Sequence, residues 1–165
     1  LLHLTPQGEL SDYSVFCHGS GLCCPVYLKD PDEKKVEMAL RFFRDHQSEL
    51  GFSEILLPDE LNRLYGLRGD FSFILETDGE TGFLSDWKGP LFSSTTNGDY
   101  RGSRASHGHR PEKGVQPCLI LRDPNRKHPV CLENGRIIDQ APTFAAFLGA
   151  LMPQADGHPM TELLG

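Results

Sequence analysis

The pattern of apolar and polar positions switches along the chain between the two-residue period of strands and the roughly 3.6-residue period of helices. "DYSVFCHGSG" (12–21) and "CCPVYLKD" (23–30) are β-rich runs separated by glycines. Behind them Val36, Ala39, Leu40 and Phe43 recur at i, i+3, i+4 and i+7, which predicts one buried helical stripe, with Phe42 and Phe43 both read as core. That helix is expected to begin at Pro31, with Asp30 as N-cap and Glu33 completing a capping-box-like arrangement. After Gly51, "FSEILL" predicts a short strand and "PDELNRLYGL" a short helix opening on Pro58. Residues 25–67 thus spell strand, helix, strand, helix, and are expected to form a small α/β insertion distinct from the sheet built by later strands.

Further on, "FSFILETD" (71–78) reads as a strand of unbroken aromatic and branched residues. Residues 79–116 form a long connection rich in Gly, Ser, Thr and Asn, and loops of that length inside compact domains are usually functional. "PCLILRD" predicts a buried strand, "VCLENGRII" a hairpin around Asn134-Gly135, "APTFAAFLGALM" a helix with Pro142 in its first turn, and "PMTELL" a short final helix. There is no internal repeat.

Composition narrows the class. A length of 165 residues fits one domain, and 38% apolar with 24% charged residues suits a packed core rather than disorder. The net charge of −7 argues against a nucleic-acid partner, because no basic stripe supplies counterion release. No stretch approaches the roughly 18–20 apolar residues of a membrane span, and the first residues lack a signal-peptide profile. A soluble, cytoplasmic protein without a membrane partner is expected. The five cysteines (Cys17, Cys23, Cys24, Cys118, Cys131) are odd in number and contain no CxxC pair, so they are read as reduced thiols.

The candidate chemistry lies at the end of the long connection, in "SHGHRPEKGVQP" (106–117). His107 and His109 flank a glycine, and on a loop they either converge on a metal or point apart as solvated or hydrogen-bonded imidazoles. Their position ahead of a predicted buried strand is where α/β sheets place site residues. Glu76, Asp78, Glu80 and Asp86 in "ETDGETGFLSD" miss the spacing of a calcium loop and read as a solvated acidic turn. His18 beside Cys17 lacks an orienting third group and reads as a strand-end histidine. Neither a GxSxG elbow nor a Walker loop occurs.

Three separated stretches, "SHGHRPEKGVQPCLIL", "LENGRIIDQAPTFAAFLG" and "DGHPMTELL", resemble in order the C-terminal segment of the alkaline phosphatase superfamily, in its type I phosphodiesterase/nucleotide pyrophosphatase branch. That branch has a Thr/Ser-His-Gly-His/Tyr loop, then an apolar strand, an Ile-Asp-x-Ala-Pro-Thr helix start and an Asp-Gly close. "DFSFILETDGETGFLSDWKGPL" and "CHGSGLCCPVYLKDP" also resemble bacterial members, so the likeness covers nearly the whole chain. It implies an α/β fold, the C-terminal part of an alkaline-phosphatase-like sheet-and-helix architecture, with 1–24 and 68–165 as its core segment and 25–67 as the insertion.

The resemblance also implies a two-metal, usually zinc-dependent hydrolase of phosphate esters with a Thr or Ser nucleophile. Carried over by position, His107 is a metal ligand, while His109 stands where the branch has His or Tyr and is expected beside the substrate or behind a ligand. The branch's nucleophile, its Asp-x-x-x-His pair, its first-strand Asp and its Ser-Asp-His-Gly motif have no counterpart in these residues, so no catalytic residue is assigned. Two-metal phosphoryl transfer needs cations about 3.5–4 Å apart, and a catalytic zinc takes about three protein ligands. One histidine supplies neither. The expectation is a C-terminal fragment of a metal-dependent phosphodiesterase or phosphatase, inactive in isolation. The alternative is a non-catalytic interaction module that associates through the sheet edge left exposed by the missing N-terminal half, with a partner or a second copy in a homo-oligomer covering it.

Overall fold

A computed structural model describes residues 2–85, 88–94, 106–114, 116–124 and 127–164, which fall into two units, 1–115 and 116–165. The first holds β1 (Leu2–Leu4), β2 (Leu10–Tyr13), β3 (Val15–Cys17), β4 (Cys23–Leu28), α1 (Glu33–Asp45), α2 (Gln47–Leu50), β5 (Glu54–Leu56), α3 (Pro58–Tyr65) and β6 (Phe73–Glu76). The second holds α4 (Ile137–Phe147) and a 3₁₀ turn at Thr161–Leu163. The fold is mixed α/β with two small antiparallel sheets, β1-β2 and β3-β4-β6-β5.

All four residues of β6 are buried, which requires a central strand covered on both faces. β4 and β5 supply its two neighbours. On one face Phe73 and Leu75 pack with Cys24, Val26, Phe43 and Phe52, joined by Ala39 and Leu40 of α1. On the other, Ile74 packs with Leu56, Phe71 and Leu61 of α3. The helical stripe predicted for α1 is therefore the buried one, but Phe42 is 53% exposed and packs on the His46 ring at 4.6 Å instead of entering the core.

The separation expected between 25–67 and the "FSFILE" strand is absent, since β6 inserts between β4 and β5 in one sheet. A buried strand needs hydrogen-bonded neighbours on both edges, and the sequence order of elements did not reveal that this later strand would take the middle place. The start of α1 also shifts. Asp30 has φ of 47°, outside the extended region an N-cap uses, and Asp32 caps instead by accepting from the Lys35 N–H at 2.8 Å.

In the C-terminal unit the expected elements change more. Residues 117–122 form no strand and Ile120 is 84% exposed, because an apolar run becomes a strand only with a ladder partner, and none is present among the described residues. The hairpin around Asn134-Gly135 is absent too. Ile137 and Ile138, read as its second arm, begin α4, which places Pro142 inside the helix rather than in its first turn. Pro142 has no N–H to offer the Ile138 carbonyl. Gly157 approaches that carbonyl so closely that a Cβ would lie 2.2 Å from its oxygen. Asp139 Oδ1 accepts from the His158 N–H at 2.9 Å, and the buried Thr143 hydroxyl accepts from the Met160 N–H at 2.9 Å while donating to the Asp139 carbonyl at 2.6 Å. These bonds fasten the closing segment to α4. The expected final helix is only the 3₁₀ turn.

Among the described residues no helix is long and apolar enough to cross a membrane. The packing makes a contrast that urea unfolding can check. Phe73→Ala, at a site with no exposure, should cost about 3–5 kcal/mol, whereas Phe42→Ala should cost less than about 1 kcal/mol.

Candidate functional site

The face of the sheet covered by α3 ends in a row of three residues, Cys23 on β4, Glu76 on β6 and Glu54 on β5, aligned by the strand register. Like charges directly opposite one another destabilise a strand pair, and Glu76 is fully buried. The pair needs cations. They come from loop 106–114. Arg110 binds Glu76 through its backbone N–H at 2.7 Å and its Nε at 2.9 Å, and its Nη2 donates to Glu54. Lys113 Nζ lies 2.8 Å from Glu54 Oε1 and 2.9 Å from Glu76 Oε2. Two strand carboxylates and two loop cations close a four-charge ring, and Glu112 ties the loop to α3 by accepting from the Tyr65 hydroxyl.

The protonation of Glu76 follows from competing effects. Burial favours the neutral acid, but the Arg110 N–H and the Lys113 and Arg110 charges outweigh it and hold the carboxyl below its ordinary range. The loop cations gain correspondingly: despite burial that opposes it, Glu76 and Glu54 hold Arg110 and Lys113 above their ordinary values.

A second anchor holds the histidine end of the loop. The Leu22 N–H donates to the His107 carbonyl at 2.8 Å. Gly108, at φ of 107°, sits against the tip of the β3–β4 hairpin, where a Cβ would lie 2.7 Å from the Ser20 carbonyl oxygen and 3.0 Å from the Cys23 nitrogen. A side chain is excluded there by both conformation and space.

Between these anchors the two histidines have different environments. His107 is exposed. The His109 side chain is only 17% exposed, and its Nδ1 lies 3.7 Å from Glu76 Oε1 with no hydrogen-bond partner among the described residues. Among the described residues no group of three or more His, Cys, Asp and Glu is placed to hold a metal ion. The charges of the ring satisfy one another, so its chemistry is that of a clamp that fixes the His107–Gly108–His109 backbone.

The acidic-turn reading needs correction at one residue. Asp78 and Glu80 are exposed, with Asp78 Oδ1 accepting from the Glu80 N–H at 2.9 Å, but Glu76 is in the sheet interior. Asp86 lies outside the described residues. His18 is exposed, with its ring centroid 6.1 Å from that of Phe16. The sequence reading missed Glu54, Glu76, Arg110 and Lys113 as a unit. The available signal was a glutamate closing an apolar strand, matched by the basic residues of "HRPEKG". No family model, curated protein or solved structure matches the chain.

Glu76→Gln should lower stability by about 3 kcal/mol at neutral pH, since removing one member of a buried charge set leaves the others uncompensated. Because the folded-state pKa of Glu76 is depressed, its contribution is fully present above the ordinary value of about 4.3 and is lost as pH falls through the lower folded value. Urea midpoints measured across the acid range should therefore converge for wild type and variant as pH drops.

Proposed function

We propose that this chain is the C-terminal portion of a metal-dependent phosphodiesterase or phosphatase of the alkaline phosphatase superfamily, and that it presents His107 as one metal ligand of a phosphate-ester site. The observation that carries the reading is the doubly anchored loop. His107 is exposed on a backbone held by the Leu22 N–H on one side and by the Glu76 ring on the other. Catalytic ligands need such support, because small misplacements of a first ligand are costly. The order of the loop, the Ile-Asp-Gln-Ala-Pro-Thr helix and the Asp-Gly close adds support, since Asp139 and Thr143 of that helix hold the segment that follows Asp156-Gly157.

In this reading zinc is the metal, a phosphate ester is the substrate and the covalent step belongs to a Thr or Ser outside these residues. A bound zinc would polarise the phosphoryl oxygen. This chain's part is to hold the His107 imidazole in place, with His109 behind it against Glu76. The alkaline-phosphatase-like architecture and a cytoplasmic location belong to the same proposal.

A second reading, a non-catalytic association module, draws on the exposure of Ile120, Leu148 and Leu151 at 84%, 79% and 94%. Pairing through a sheet edge is the weaker form of it, because edge strands β3 and β5 have three residues each, and short edges resist pairing.

Calorimetric titration of zinc into the chelator-treated chain separates these readings. Weak binding removed by His107→Ala and largely retained by His109→Ala, with no turnover of nitrophenyl phosphate esters, is the expected result. Tight one-to-one binding lost equally in both variants would mean a self-sufficient histidine pair and would overturn the proposal, as would binding indifferent to His107→Ala.

A further inference from the structure

The hairpin tip on which the His107 loop rests carries a second pair of chemically capable side chains. Val15, Phe16 and Cys17 pair with Leu28, Tyr27 and Val26, and the register continues through the His18 N–H bond to the Pro25 carbonyl at 2.9 Å to the Ser20–Cys23 bridge. Side chains directly opposite one another share a face. Cys17, opposite Val26, therefore lies on the same face as Cys24, two residues along the partner strand, whereas Cys23 lies on the other face. The residue opposite Cys24 is Gly19, which places no side chain between the two sulfurs. Cys17 is exposed and Cys24 is 2% exposed.

We propose that Cys17 and Cys24 form a reversible disulfide across the β3–β4 hairpin when the protein meets a peroxide, with Cys17 as the attacking thiolate and Cys24 as the resolving thiol. The first step breaks the O–O bond: the Cys17 thiolate takes one peroxide oxygen, giving a sulfenic acid and hydroxide. In the second step Cys24 sulfur displaces that oxygen, and its proton leaves with it as water. Peroxide is reduced by two electrons and the two thiols are oxidised to one disulfide.

The electrostatics match these roles. The neighbouring Cys24 thiol holds the Cys17 thiol below its ordinary value, and Cys17 together with burial pushes Cys24 up. An exposed sulfur with thiolate character is the one a peroxide reaches. Geometry makes the product labile. Diagonal residues of an antiparallel pair are about 7–8 Å apart at Cα, beyond the usual disulfide span of about 4.4–6.8 Å. The bond must distort the hairpin locally, since β3 and β4 are already hydrogen-bonded neighbours, and strained disulfides are the readily reduced ones.

The test is limited hydrogen peroxide treatment of the full chain, alkylation of the remaining thiols and tandem mass spectrometry. We expect reactive thiols to fall from five to about three, as forming one disulfide requires. A peptide containing Cys17, Cys23 and Cys24 should carry one alkyl group, on Cys23, and dithiothreitol should restore all five thiols. Cys17→Ser, a conservative change at an exposed site, should abolish the loss, and Cys24→Ser should leave Cys17 trapped by a sulfenic-acid-specific dione. Linkage through Cys23, Cys118 or Cys131, a Cys17–Cys17 dimer, or Cys17 recovered as sulfinic acid with Cys24 still alkylated would each overturn the proposal, and the wild-type peptide map decides this even where a variant fails to fold.

Discussion

A carboxylate buried at the end of the central strand is the constraint around which the N-terminal unit is arranged. Glu76 has no exposed side-chain surface, and its cross-strand neighbour is another glutamate. An isolated charge in such a place is expensive by several kcal/mol. Arg110 and Lys113 neutralise both acids at once, so the sheet and the loop depend on each other: without the loop the acids repel, and without the acids the loop loses its seat.

Such a ring contributes more to specificity than to net stability. Desolvating four charged groups offsets much of their attraction, and a well-packed apolar substitute is often as stable. An apolar patch, however, would accept a loop in many positions. A guanidinium and an ammonium that each bridge two carboxylates accept few. The resulting placement sets where His107 stands, and the Gly108 contact with the hairpin tip removes the remaining freedom at that end. The proposed ligand role and the proposed thiol pair thus share one piece of structure, the turn from Cys17 to Cys24.

Local patterns were legible wherever a helix or strand is decided by its own residues. The stripe Val36, Ala39, Leu40 and Phe43, the Pro58 helix start and the apolar β6 run all occupy the elements that their spacing suggests. What was illegible depends on partners distant in sequence. The insertion of β6 between β4 and β5 is a pairing choice, and "PCLILRD" reads like β6 yet forms no strand among the described residues. Phe42 and Phe43 are indistinguishable by composition, and only the direction of the α1 face separates them. For the site, His107 and His109 drew attention because histidine is the conspicuous chemistry, while Glu76, which helps position them, looked like part of a solvated turn. A glutamate ending an apolar strand becomes informative only when its cross-strand neighbour is known.

Amide hydrogen exchange read residue by residue tests the dependence of the loop on Glu76 most directly. Two amides report it: Arg110, whose N–H donates to the Glu76 carboxylate, and Leu22, whose N–H donates to the His107 carbonyl. The Ser72 amide, bonded to the Val26 carbonyl within the sheet, reports the fold itself. In Glu76→Gln the account predicts that Arg110 and Leu22 lose most of their protection while Ser72 retains its own. Protection of Arg110 and Leu22 equal to wild type would show that the loop holds its place without the buried charge, and would contradict the account.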